Sequence, residues 1–199
     1  MPPVVITPPA ALITPDDVKA HLRLTGTSLD ALLTTYIAAA QGAIDGPGGS
    51  LGRAIGQQTL ALQGIDVIDP RGWIILPFPP VISIVSVIYG DDVTLDPSAY
   101  VLGPGAIARP TAGGTWPWSP GARDTVRVQY QAGYATLPGP IKAALLLMVQ
   151  DLYNLGSRDP ALTADLVFGV GQQQFSATPS PVLSQAADRL LAPFRIFAG

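Results

Sequence analysis

The chain has 199 residues, of which 48% are hydrophobic and only 13% charged, with a net charge of −3 and no cysteine. The missing thiols exclude a disulfide framework and thiolate metal sites, and the charged share is about half the ~25% usual for soluble domains, so small polar residues or partner chains must cover much of the surface. Lys19, Arg23, Arg53, Arg71, Arg109, Arg123, Arg127, Lys142, Arg158, Arg189 and Arg195 are scattered rather than clustered, which argues against tight nucleic-acid binding because phosphate neutralisation needs grouped cations.

Residues 1–12 are rich in proline and apolar side chains, and proline fixes φ and keeps its predecessor out of the helical region, so an extended arm is expected. The opening Met1-Pro2-Pro3-Val4-Val5 lacks the basic segment of a signal peptide. A first helix starts with Thr14 as N-cap, Pro15 at the first helical position and Asp17 three residues after the cap, and Ile13 and Val18 are spaced as a hydrophobic staple across it. It runs to about Arg23. Thr27 and Asp30 form a second capping pair. The apolar set Leu29, Leu32, Leu33, Tyr36, Ile37, Ala40 and Ile44 then marks a second helix, ended by Gly46-Pro47-Gly48-Gly49.

Residues 57–134 read as β structure. Thr59–Leu62 and Trp73–Leu76 are short strands, and Val81–Tyr89 is the strongest. Its alternating sets, Val81/Ser83/Val85/Val87/Tyr89 and Ile82/Ile84/Ser86/Ile88, are both apolar, so both faces are expected to be covered. Gly90-Asp91-Asp92 turns the chain back through Val93–Leu95. Short strands are expected at Tyr100–Leu102 and Ala106–Arg109. At Thr125–Gln131 the alternation of Val126, Val128 and Tyr130 with Arg127, Gln129 and Gln131 predicts a half-buried strand. Pro140 opens a third helix that is apolar nearly all round through Leu155, as a core or interface helix would be. Its longest apolar run, Ala143–Val149, is far short of the ~20 residues that span a bilayer, which with the N-terminus predicts a soluble chain made in the cytoplasm. Residues 157–181 show no periodicity and read as loop. A last helix at about Val182–Leu191 ends at Pro193, and the apolar tail Phe194-Arg195-Ile196-Phe197 suggests docking, since chain ends are usually polar and frayed.

Chemistry is hard to find. Gly48-Gly49-Ser50-Leu51-Gly52 fits G-x-S-x-G, but a hydrolase elbow needs a strand before the serine and a histidine after it; here a helix precedes Ser50, and the sole histidine, His21, lies upstream. The same loop lacks the lysine of a phosphate loop, and Gly169-Val170-Gly171 lacks the third glycine of a dinucleotide fingerprint. His21 is a single histidine, which cannot build a metal site without matching carboxylates, and none flank it convincingly. Asp16/Asp17 and Asp91/Asp92 fit a helix start and a turn. No catalytic residue, metal or cofactor is therefore expected. Trp116-Pro117-Trp118 fits a loop anchored on the core by its aromatics; the alternative is a carbohydrate- or peptide-binding β module that stacks ligand on Trp116 and Trp118.

The order of these elements carries a resemblance. It rests on Ile13-Thr14-Pro15-Asp16-Asp17-Val18-Lys19-Ala20-His21-Leu22-Arg23-Leu24, then Leu29-Asp30-Ala31-Leu32-Leu33 and Tyr36-Ile37-Ala38-Ala39-Ala40. It continues through Leu76-Pro77, Pro79-Pro80-Val81, Ser83-Ile84-Val85-Ser86-Val87 and Leu95-Asp96-Pro97-Ser98-Ala99-Tyr100. Val126-Arg127-Val128-Gln129-Tyr130-Gln131-Ala132-Gly133-Tyr134, Leu137-Pro138-Gly139-Pro140-Ile141-Lys142-Ala143-Ala144 and Leu190-Leu191-Ala192-Pro193-Phe194-Arg195 complete it. Over residues 13–195 the chain resembles the head–tail connector (adaptor, head completion) proteins of long-tailed double-stranded DNA phages and gene transfer agents. The resemblance implies an α+β fold, in which a small helical bundle packs with a short antiparallel β region between extended N- and C-terminal arms. Its divisions are an arm at 1–12, one connector domain at 13–156, and a loop with a C-terminal docking arm at 157–199. It also implies a structural virion protein, assembled in the host cytoplasm, that forms a ring, typically of twelve, in the capsid–tail neck. Such a ring bridges the portal to a tail or stopper protein, with DNA only as passing cargo and no membrane or cofactor. The portal contact it implies falls on Leu190, Leu191, Phe194, Arg195 and Phe197. The two-faced strand suggests a subunit interface at Val81, Val85, Val87 and Tyr89.

Overall fold

The computed structural model describes residues 3–63, 73–90, 92–103, 107–110, 116, 126–156, 164–167, 171–174 and 185–196. It is an α+β chain in two compact units. One unit gathers Ile13–Ala40 with Gly139–Pro193, and the other gathers Met1–Leu12, Gln41–Pro138 and Phe194–Gly199.

The first unit is helical. Helix α1 (Pro15–Leu22) begins as the sequence predicts: the Thr14 hydroxyl accepts from the Asp17 N–H, and the Asp17 carboxylate accepts from the Thr14 N–H at 2.9 Å. This reciprocal cap satisfies helix-end donors that have no partner within the helix. Ile13 and Val18, the staple pair, are both buried. Arg23 closes the helix in the left-handed conformation, φ 57°. Helix α2 (Asp30–Gly42) starts at Asp30 rather than at Thr27, because the Thr27 carbonyl accepts from the Asp30 N–H in a turn ahead of the helix. Leu33, Ile37 and Ala40 supply its buried stripe. Helix α3 (Gly139–Gly156) buries Ile141, Ala144, Leu145, Met148 and Val149. Lys142 on its first turn donates to Asp17 at 2.8 Å. No helix among the described residues is long and apolar enough to cross a membrane.

Lys142 and the Thr14 cap hold the Asp17 carboxyl down at about 2. A depressed carboxylate adds stability above its ordinary value and loses it as pH falls through the folded one. The helical unit should therefore weaken between pH 4 and pH 2, read as helix content by circular dichroism. Thr14→Ala should cost about 1 kcal/mol at neutral pH and flatten that acid limb.

The same unit holds a hairpin, β9 (Ala164–Val167) with β10 (Gly171–Gln174), and helix α4 (Gln185–Leu191). The hairpin corrects the reading of 157–181 as loop. Its second strand is Gly171-Gln172-Gln173-Gln174, which carries no apolar alternation, so the pairing rests on backbone hydrogen bonds that a hydrophobicity pattern does not register. Val182 and the remainder of 157–181 lie outside the described residues.

The second unit is built on a five-stranded antiparallel sheet in the order β1-β2-β8-β4-β5, formed by β1 (Val4–Thr7), β2 (Gln58–Gln63), β8 (Arg127–Ala132), β4 (Val81–Tyr89) and β5 (Val93–Thr94). A smaller sheet, β3-β7-β6, joins β3 (Ile74–Ile75), β7 (Ile107–Pro110) and β6 (Tyr100–Gly103). Val4–Thr7 of the predicted arm is thus an edge strand. Strand β8 is central and alternates as expected, with Val128, Tyr130 and Ala132 buried beside Val126. They form one core with Leu60, Ile74, Leu76, Val87 and Tyr100. The buried Tyr130 hydroxyl donates to the Pro77 carbonyl at 2.7 Å, and burial pushes its pKa up.

The expectation that both faces of β4 are apolar and covered does not hold. Against β8 the register shifts between Val81 and Ser83 and again between Ile84 and Ser86. Each shift inserts one extra residue, and each extra residue flips the alternation that follows. Val81, Ile84 and Val87 consequently stand opposite the buried Ala132, Tyr130 and Val128. Ser83 and Ser86 fall opposite Gln131 and Gln129, with Ile88 opposite Arg127, so that face is mostly polar.

Candidate functional site

Ser50 is exposed in the turn after α2, and its N–H donates to the Ala43 carbonyl. His21 belongs to the other unit, where its ring pairs with Gln150 at 3.0 Å. Among the described residues no three His, Cys, Asp or Glu side chains group as a metal would need. Trp116 is half-buried and packs against the core of the β unit; Trp118 lies outside the described residues.

What the molecule offers instead is surface. Strand β1 exposes apolar side chains on both its faces, with Val4 60%, Val5 39% and Ile6 51% accessible. At the opposite margin of the same sheet, the residues inserted by the two shifts in β4 are Ile82 and Val85, exposed at 42% and 51%. Val93 on β5, opposite Tyr89 further along the strand, is exposed as well. Of the four residues suggested for a subunit interface, Val87 is fully buried, Val81 and Tyr89 pack against the core, and Val85 faces solvent. Ile82, outside those four, is also exposed, at a bulge for which a period-two reading has no place.

The C-terminal residues divide between the units. Leu191 is buried in the helical unit and Leu190 is half-buried there. Phe194 and Arg195 are half-buried in the β unit. Arg53 donates from Nε to the Phe194 carbonyl at 2.7 Å, and the Ile196 N–H donates to the Leu51 carbonyl at 2.9 Å. Gly52, φ +65°, lets this segment approach, since a Cβ there would stand 2.8 Å from the Ile196 carbonyl oxygen. Phe197 lies outside the described residues. A charge-assisted bond of this kind contributes roughly 1.5–3 kcal/mol. Arg53→Ala should therefore release the segment and speed proteolytic trimming after Pro193 about tenfold or more, read by intact-mass spectrometry.

A polar knot fixes the loops beneath. Asp45 accepts from the N–H groups of Ile55 at 2.7 Å and Gly56 at 3.1 Å, and from the Gln58 amide at 2.9 Å. Gln41, which also reaches Asp45, accepts from the Leu12 N–H and donates to the Ala10 carbonyl, so the chain leaving β1 is tied in. Burial pushes the Asp45 carboxyl up, and the N–H donors partly oppose it.

No family model matches the sequence, and no curated protein matches it. Solved structures do. The chain superposes over 100% of its length on 97% of a chain from the virion of a native gene transfer agent particle, with TM-score 0.67 and 21% identity. A chain from the neck of the native particle, computed with C12 symmetry, gives TM-score 0.64 and 17% identity at the same coverage. One from the neck of the empty particle, computed with C6 symmetry, gives 0.67 and 22%, again over 100% and 97% of the two chains. The fold of this chain is thus the fold of a chain found in gene transfer agent necks.

Proposed function

We propose that this chain is a structural subunit of the neck of a phage-like or gene transfer agent particle. Its copies form an adaptor ring, of twelve in the simplest case, between the portal at the capsid vertex and the tail or stopper, and DNA passes through the lumen. The observation that carries this reading is the end-to-end likeness to chains of necks resolved with C12 and C6 symmetry. The low charge and the apolar sheet margins support it, because a ring subunit hides such surface between neighbours. Portal docking would fall to the C-terminal segment through the accessible parts of Leu190, Phe194 and Arg195, with Phe197 beyond them. Leu191, buried in the helical unit, would anchor the end of α4.

Mass photometry and electron microscopy of the purified chain, alone and mixed with portal, test the reading. Closed rings, alone or on the portal, are expected. A chain that stays monomeric and never joins portal particles would overturn it.

A further inference from the structure

We propose that neighbouring copies meet margin to margin, with β1 of one packing on the bulged stretch of β4 in the next. This deepens the ring reading and rests on it.

A cyclic ring needs a heterologous contact, in which two different patches of one subunit fit each other on successive copies. The five-stranded sheet carries such a pair at its two ends. At one end, β1 presents Val4, Val5 and Ile6, with a register shift between Val5 and Thr7. At the other, β5 pairs only with Ile88 and Tyr89, so residues 81–87 of β4 have no strand outside them among the described residues. Ile82 and Val85 are exposed on this stretch.

Soluble proteins normally guard such margins with lysines or inward-pointing charges. Neither Val4-Val5-Ile6-Thr7 nor Val81-Ile82-Ser83-Ile84-Val85-Ser86-Val87 contains a charged residue. A bulge can also guard an edge by breaking the ladder, and it re-aims the side chain it inserts. Here the re-aimed residues are isoleucine and valine. The fitting contact is therefore apolar side chain on apolar side chain, with no continuous hydrogen-bond ladder required. Direction fits as well: with every pairing in this sheet antiparallel, β1 and β4 run oppositely. A neighbour brought up by rotation about an axis along the strands would lay its β1 antiparallel to β4.

The absence of cysteine makes the test clean. Single cysteines at Val4, Val5 or Ile6 are combined in one chain with single cysteines at Ile82 or Val85, in whichever preparation yields rings, and then oxidised. Strands β2 and β8 separate the two sites within a chain by about three strand spacings, roughly 14 Å, beyond the ~7 Å limit for a disulfide. A cross-link must then join two copies. The expected result is a ladder of covalent oligomers on non-reducing gels, climbing to the ring size, while either cysteine alone stops at dimers. Val5→Lys should leave the fold intact and cut the assembled fraction about tenfold or more. Rings that form but give no ladder for any pair would overturn this interface and leave the ring standing. A covalent dimer with no higher rungs would overturn the head-to-tail arrangement. A chain that never forms rings would overturn both readings.

Discussion

Asp45→Ala should destabilise the β unit by roughly 3–5 kcal/mol, because it strands several buried donors at once and each unsatisfied group costs about 1–3 kcal/mol. The donors are the Ile55 and Gly56 N–H groups and the side-chain amides of Gln58 and Gln41. Gln41 also grips Ala10 and Leu12, so the anchor of β1 should loosen with it. Urea unfolding can separate the units, because all three tryptophans lie within Gln41–Pro138. Their fluorescence should report the loss while the helical signal at 222 nm moves less. Asp45→Asn keeps one acceptor oxygen and should lose about half as much. The sign with pH is opposite to that of Asp17. A carboxyl whose folded value is raised contributes most below its unfolded value and loses that contribution as pH rises through the folded one. If Asp45→Ala leaves the fluorescence midpoint unmoved, the knot does not hold these loops.

Gly133→Ala should cost at least ~3 kcal/mol and shorten the β unit's resistance to heat accordingly. Gly133 sits at φ +126°, where side chains are strained, and an added Cβ would meet the Gly56 carbonyl oxygen at 2.3 Å and the Gln57 Cα at 2.7 Å. Those are backbone atoms and cannot swing away. The Gly133 N–H donates to Pro80 and the Tyr134 N–H to Ile55, so any shift disturbs the exit of β8 and the approaches to β2 and β4 together. Gly90→Ala is the control. It also has positive φ, at 57°, but nothing lies within 4 Å of its Cβ position, so only the ~1–2 kcal/mol cost of the left-handed conformation applies. Equal thermal midpoints for the two variants would mean that close approach contributes nothing at Gly133.

Much of the local architecture was legible without coordinates. The Thr14–Asp17 cap, the limits of α1, the apolar α3 after Pro140, the span Val81–Tyr89 and the alternation of β8 each depend on residues a few positions apart, and sequence displays such spacings directly. The register of β4 was not legible. Whether Ile82 and Val85 are inserted residues depends on how that strand matches β8, more than forty positions away, and one shift moves every later side chain to the other face. The Gln-rich hairpin escaped notice because backbone pairing leaves no hydrophobic period. The Asp45 knot escaped because Asp45 gains its meaning from Ile55, Gly56 and Gln58 arriving at one point.

For the surfaces, the sequence by itself determined that this chain is poor in charge and that residues 194–197 are mostly apolar. Composition and order suffice for that. Only the tertiary structure decided which apolar residues are core and which are surface. Val81, Val87 and Tyr89 serve the core, while Val85 with Ile82, and Val4 to Ile6 across the sheet, are left outward. It also decided that the backbone from Phe194 to Ile196 is clasped by Leu51 and Arg53. The reason is physical: hydrophobicity is a property of a residue, but exposure is a property of its neighbours, and those are assigned only when distant strands pair.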